Sequence, residues 1–560
     1  MTRGLDVRLT LADRVVNWWD PVAGQRRVHA RAFQAMTGGY TGASEVARSM
    51  RSWFTWGRSA DADIVGSLPQ LRARSRDLAR NHALAGGALH TIVTRTVGTG
   101  LALQLRPNRA VLGWDEERAA AWRAEVEAEW LLWAESPWCD LSGRLDFYGL
   151  QELVFRSTLE SGDAFTALPM VRRANLPYRL ALQILEADRV GNPAGKMDSD
   201  VMVQGVELSP QTGAAMRYWV YDRHPGGLTL ANSKDGRWVP AATPRGMPAM
   251  LHHYRVLRPG QTRGVPHLAP VIELLRQLGR YTDAEIMAAV ISGMLTVFIE
   301  SDAPEQNPLL AGTDGDGVPQ PGSEDVRLDS GAIVGLSPGE KANVVNPGRP
   351  NPAFDPFVQA ILRQIAVGLE LPFEVMLKHF TSSYSAARAA LLDAYIFFRM
   401  RRDWLRKSFC QPVFEAWMEE AVALGRVTAP GFFRDPLLRA AYCRAQWTGD
   451  SPGAIDPVKE VEGWTKAIDA GLATREQAEM QLYGTDWSAT LDQKSREAAL
   501  MREKGIGPIS SAPAAAPAPA PESDDSEDAT DPADPEDDAE DLTDSESDRA
   551  PARVQPGSED

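Results

Sequence analysis

LRARSRDLARNHALAGGALHTIVTRTVGTGLALQL, residues 71–105, sets a basic segment, a run of small residues and a glycine-marked turn in one order. Arg72, Arg74, Arg76 and Arg80 lead into Asn81, a helix rich in Ala and Gly follows, and Gly98 and Gly100 mark the turn that opens a strand. The four arginines read as one solvated helix face, with a DNA or capsid contact as the lesser reading.

Downstream, Trp114, Trp122, Trp130 and Trp133 recur at spacings that suit one broad helical face, and Glu116, Glu117, Glu125, Glu127 and Glu129 supply a wet side. Residues 71–138 therefore read as mostly helical. From Tyr178 to Val256 the pattern turns to short strands, YRLALQILEADRV, GVELSPQTGAAMRYWVYDRH and HHYRV, bounded by Gly, Pro and Asp. Helices return from Val265 to Leu424, broken between Ala303 and Pro350. The fold class is α+β with helix-dominated ends.

Two rods stand out in that third block. Val271, Leu274, Leu275, Leu278, Ile286 and Val290 give residues 267–292 a helical apolar spacing, with Pro270 in the permissive first turn. FDPFVQAILRQIAVGLEL, residues 354–371, repeats the character, starting at Asp355 and Pro356 and stopping at Pro372. LTVFIES and AIVGLSPGEKANVV between them read as strands, so the pattern is a helix hairpin with a separate tip. A third long helix starts at Tyr384 and runs to about Leu424, with a kink expected at Pro412.

A chain of 560 residues, 44% hydrophobic, has material for one large core of several subdomains or for two to four domains. Cys139, Cys410 and Cys443 are odd in number and far apart, which supports neither a disulfide framework nor a zinc site and suits a reducing cytosol. Arg3 precedes no apolar run, and no window reaches the roughly 18 apolar residues of a membrane span. The net charge of −16 is unevenly placed. Residues 521–560 hold 17 of the 75 acidic and 2 of the 59 basic residues, leaving 58 acidic and 57 basic over residues 1–520, a nearly neutral body. With the Ala/Pro alternation SSAPAAAPAPAP before it, the segment 510–560 reads as a disordered, solubilising extension; the sharper reading is an acidic surface that mimics nucleic acid or repels it. Ala303–Asp325, rich in Pro and Gly, is a second disordered candidate.

The order of these parts resembles the portal proteins of lambda-type phages. The 71–105 signature is followed by LESGDAF with Glu160, Gly162 and Asp163, by ILEADRV and AMRYWVYDRHP, and by His253 ahead of Arg258, Arg263, Gly264 and Pro266. Each match is modest; their order over residues 70–425 is specific. The resemblance implies an N-terminal segment over 1–70, partly flexible, and a wing domain over 71–266. It places stem helices at 267–292 and 351–371, a clip insertion at 293–350 and a channel loop at 372–383. A long wing helix and helical crown would occupy 384–509, ahead of the 510–560 tail. Within the channel loop, Lys378, His379, Thr381, Ser382 and Ser383 are the residues it implies to face DNA.

Arg388, Arg399, Arg401, Arg402, Arg406 and Lys407 could bind phosphates, but strong contacts would hinder a sliding duplex, and the interleaved Asp393 and Asp403 favour intrahelical or intersubunit pairing. Arg388, Arg399, Arg402 and Trp404 are the subunit-contact candidates. Gly335-Leu336-Ser337-Pro338-Gly339 spells a nucleophile elbow, yet Pro338 and a strand-like run follow where a helix is required, so it reads as a β-turn. His252 and His253 would point to opposite faces of a strand and cannot share a metal; His82 and His90 lack a completing ligand; no phosphate-binding GxxxxGK[ST] loop occurs.

The function implied is a non-enzymatic conduit without cofactor or metal: a ring of roughly twelve copies in the virion, assembled in the host cytoplasm, through which double-stranded DNA enters and leaves the capsid without sequence readout. Its partners would be itself, the terminase large subunit, the major capsid and scaffold proteins, and head-completion or adaptor proteins. Two alternatives are a nuclease-like packaging enzyme, for which Asp188, Asp222 and Asp283 are available carboxylates, and a purely structural capsid or connector subunit.

Overall fold

In a computed structural model, the described residues are 11–36, 40–43, 48–50, 52–228, 235–293, 297–301, 340–344, 351–380, 384–451, 457–485 and 487–505. The acidic tail, the GLSPG segment, Ala303–Asp325 and Thr381–Ser383 lie outside them. The chain divides into residues 1–491 and 492–560; in the second unit the C-terminal part of helix Trp487–Glu503 is described.

The tryptophan helix forms the heart of the first unit. Asp115 caps it, its carboxylate accepting the Arg118 N–H at 2.8 Å, and Glu116 and Glu117 sit at the positive end of its dipole. Helix Glu116–Ala134 then buries Trp122, Val126, Trp130 and Trp133, while Trp114 is partly buried just before it. Trp130 meets Trp133, Phe147, Phe414, Trp417 and Trp447 at centroid distances of 5.1–6.1 Å, mostly edge-on as ring quadrupoles prefer. Those partners come from four stretches of chain, so one side chain ties helix Phe147–Ser161, helix Gln411–Ala423 and strand Ala445–Thr448 to the tryptophan helix.

The opening signature folds as helices Leu68–Asn81 and Ala83–Thr96 and strand Ala102–Leu105. Gly98 and Gly100 have φ of 58° and 112°, and a Cβ on Gly100 would lie 2.5 Å from the Tyr148 ring, so glycine is required there for both reasons. The strand pairs antiparallel with Ala445–Thr448, which interrupts the stretch expected to be a helical crown. Two further antiparallel sheets follow. Gln183–Glu186, Asp163–Ala167 and Met250–Tyr254 form one; Met202–Val203, Val206–Leu208, Ala215–Tyr221 and Gly236–Pro240 form the other.

The first of these sheets surrounds a buried charge cluster. Asp163 is fully buried, with Arg72 Nη2 2.8 Å from one oxygen and Arg263 Nε 2.5 Å from the other. Burial alone would push its carboxyl up, but Arg263 and Arg72 outweigh that and hold Asp163 far below the usual carboxylate range. The solvated-face reading of the arginines is thus corrected. Arg72 is buried and Arg76 half-buried against Ser161 and Asp188, whereas Arg74 and Arg80 are exposed. Gly162 and Gly264 let two backbones touch here: a Cβ on Gly162 would sit 2.5 Å from the Gly264 carbonyl oxygen.

His252 and His253 do point to opposite faces. His252 stacks on Phe165 at 4.1 Å with Nε2 3.1 Å from Asp163, and His253 Nε2 lies 2.7 Å from Thr166 Oγ1. Burial pushes His252 down to about 4 and His253 to about 3, and burial with Arg401 takes His267 to about 4. These lowered values fix the sign of the acid response. Above the unfolded value of about 6.5 both states are neutral and stability is full; below it the unfolded chain takes up protons first, and stability falls by up to about 1.4 kcal/mol per pH unit for each ring. Asp163, held low, adds to that slope only below about pH 5, once its unfolded-state carboxyl begins to take up a proton. Thermal melts between pH 7 and 5 are expected to show the decline, and His253→Asn to lessen its slope by one ring's share.

Helix Tyr384–Leu405 continues as a π-helical turn, Arg406–Cys410, and then as helix Gln411–Ala423. The distortion expected at Pro412 therefore sits just before it. Proline has no N–H for the Ser408 carbonyl, and the chain accommodates the gap by widening one turn, with Gln411 N–H bonding to the Arg406 carbonyl.

Candidate functional site

Helices Ile272–Gly293 and Phe354–Gly368 form the expected hairpin, entered through a 3-10 turn at Ala269–Val271. Its root is buried: Leu268, Val271, Leu275 and Leu278 on the way out, Leu362, Ile365, Ala366 and Leu369 on the return. A Cβ on Gly368 would fall 2.5 Å from Val271 Cγ1, so a glycine permits this close approach. Farther out, Tyr281 stacks on Phe354 and meets Phe357 edge-on, while Ile286, Met287, Val290 and one face of Phe357 stay exposed. Strands Val297–Ser301 and Glu340–Val344, between the two helices in sequence, pair antiparallel.

The return helix leads through Pro372 into a short helix, Phe373–Leu377, capped by Lys378 in the left-handed region. Lys378 and His379 are exposed, and Thr381, Ser382 and Ser383 lie outside the described residues. Lys378 and Phe380 line a cleft of about 1180 Å³ with His90, Arg95, Tyr395 and Trp464.

The four subunit-contact candidates have different surroundings. Arg402 caps helix Ala83–Thr96 from across the chain, donating to the carbonyls of Thr96 at 2.8 Å and Arg95 at 2.9 Å. Trp404 donates to the Tyr254 carbonyl at 3.3 Å. Arg388 lies 3.8 Å from Glu460, and Arg399 packs over the Tyr395 ring. The intrahelical pairing expected in this cluster is present at Asp403, which binds both Arg406 and Lys407. Arg402→Ala is expected to cost roughly 1.5–3 kcal/mol, the range for hydrogen bonds to a charged group, read as a lowered denaturation midpoint.

A feature missed in the sequence lies on the same helix. Leu392, Ile396 and Met400 recur every fourth residue and are 58, 61 and 64% exposed, an outward apolar stripe that the arginines and aromatics around it obscured.

Asp188, Asp222 and Asp283 form no metal-ligating cluster among the described residues; the group close enough is Glu186, Asp188 and His224, within 4.8 Å. His224 Nδ1 accepts the Gly226 N–H at 2.9 Å, and its Nε2 lies 2.9 Å from a Glu186 oxygen.

The chain is 28% identical over 498 residues to portal protein B of Escherichia phage lambda, covering 85% of this chain and 92% of that protein. It is also 28% identical over 504 residues to the portal protein of Escherichia phage N15, covering 85% and 93%. Among solved structures it resembles a chain from the neck of a native gene transfer agent particle computed with C12 symmetry. The identity is 14% and the TM-score 0.37, over 76% of this chain and 94% of that one, a superposition too loose to carry an argument. The model of the lambda family of phage portal proteins matches residues 47–402, which takes in the signature, the buried charge cluster, the hairpin and most of the long helix. The chain belongs to the lambda family of phage portal proteins.

Proposed function

We propose that copies of this chain close through a heterologous interface into a ring at one vertex of the capsid, of about twelve subunits as the resemblance to the portal family implies. Double-stranded DNA would pass through that ring during packaging and ejection. The observation that carries the reading is the hairpin: its root is buried in the subunit, while Ile286, Met287 and Val290 farther out remain in water in a single copy. Rods set side by side around an axis would cover such positions with the neighbour's equivalents. In this reading the clip hairpin at 297–301 and 340–344 meets the terminase large subunit, and the wing meets the major capsid and scaffold proteins. Head-completion proteins bind after filling. Passage needs shape and weak charge only, so the conduit performs no covalent chemistry, assembles in the host cytoplasm and remains in the virion.

Native mass spectrometry with electron microscopy of the purified protein tests this: a discrete closed ring with a lumen wide enough for B-form DNA is expected, and a monomer at all concentrations defeats it. The stripe provides a sharper probe. Ile396→Asp changes an exposed residue, so the circular dichroism of the subunit should be retained. If the stripe is a subunit contact, the ring-to-monomer equilibrium should shift by at least about tenfold per contact, or ~1.4 kcal/mol.

A further inference from the structure

The return helix ends in an unusual way. Glu370 N–H bonds to the Val367 carbonyl at 3.1 Å and Leu371 N–H to the Ala366 carbonyl at 3.0 Å, the paired hydrogen bonds of a Schellman terminus. The residue donating the first of these bonds must be left-handed, and glycine usually occupies that position. Here it is Glu370, with φ of 56°, at a backbone cost on the order of 1 kcal/mol. Such a cost persists where the side chain is needed.

The Glu370 carboxylate joins three elements. Arg255, just past strand Met250–Tyr254, lies 2.9 Å away, and Arg401 of the long helix lies 3.5 Å away with its own side chain largely buried against Phe397. One residue earlier, the Leu369 carbonyl accepts from His267 Nε2 at 3.2 Å, at the entry to the outgoing helix. Beyond the joint, Leu371–Leu377 runs to Lys378, a second non-glycine residue with positive φ. A short segment is thus held between two left-handed joints.

We propose that Glu370 is a positioning residue for the hairpin: its contacts with Arg255 and Arg401 hold the return helix at a left-handed joint, and losing them lets helices Phe354–Gly368 and Phe373–Leu377 pivot while the body stays folded. The pair strength suits a latch. Asp163, fully buried between two arginines, cannot let go without unfolding its surroundings, whereas Glu370 and Arg255 are 45 and 43% exposed and water can replace that contact, with Arg401 on the buried side of the joint. Leu362, Ile365 and Ala366 keep the root attached in both poses. All these contacts lie within one copy, so the inference stands or falls separately from ring formation.

Glu370→Gly isolates the carboxylate, since glycine satisfies the backbone better than glutamate does. Hydrogen exchange on the full-length protein should show peptides covering residues 354–380 exchanging at least about threefold faster, with 116–134 and 411–423 unchanged. Arg401→Gln should give the same local pattern to a smaller extent, because Arg255 still holds Glu370, and the double variant should add little to Glu370→Gly alone, as partners in one contact do. Unchanged or slower exchange at 354–380 would show that Glu370 serves only as a helix terminus. An equal rise at 116–134, or full additivity of the two variants, would overturn the latch as well.

Discussion

Asp163→Asn is expected to lower the stability of the subunit by about 3–5 kcal/mol, the range found when one partner of a buried ion pair is removed. Arg263 is wholly buried and Arg72 is 3% exposed, so neither can turn to water when the carboxylate loses its charge. Arg263 also donates to the carbonyls of Val190, Ala187 and Gln204, and Arg72 to that of Ser161. Two guanidinium groups would remain fixed beside one neutral amide. Because these bonds connect helix Leu68–Asn81, the sheet and the Gln261–Gly264 turn, the loss should appear as one cooperative drop in the denaturation midpoint. A change below about 1 kcal/mol would mean that water reaches the cluster.

Trp130→Ala should be about as damaging, roughly 3–5 kcal/mol, for an unrelated reason. The side chain is 1% exposed and surrounded by five aromatic rings, none of which can close the space it leaves without abandoning another contact. Trp130→Phe keeps most of the volume and should recover more than half of the loss. If the two variants proved equally destabilised by urea unfolding, the cost would belong to the indole ring specifically, not to the cavity.

Much of this was readable beforehand. The tryptophan spacing located a buried helix face, Gly98 and Gly100 located a turn, and two apolar periodicities with a strand pair between them located the hairpin. Local pattern suffices in these cases because the 3.6-residue period and the φ > 0 requirement act within a few positions. Arg72 was misread although Arg76 follows it by four residues and Ser75 and Leu78 share its face. Whether such a face is wet depends on a counter-charge 91 residues away, and nothing in the local pattern points to Asp163. The stripe of Leu392, Ile396 and Met400 had the right spacing, but spacing alone does not distinguish a face turned to the core from one turned to a neighbour.

The amino-acid order alone indicated most of the helices and strands, the helix–strand pair–helix order and the family resemblance, because these follow from period, turn chemistry and the succession of short motifs. Tertiary structure decided the rest: the pairing of Ala102–Leu105 with Ala445–Thr448, the burial of Arg72, and the convergence of Arg255 and Arg401 on Glu370. The reason is physical. A charge or a strand edge is stabilised only by whatever the completed fold places within a few ångströms of it, and in each of these cases that partner is remote along the chain.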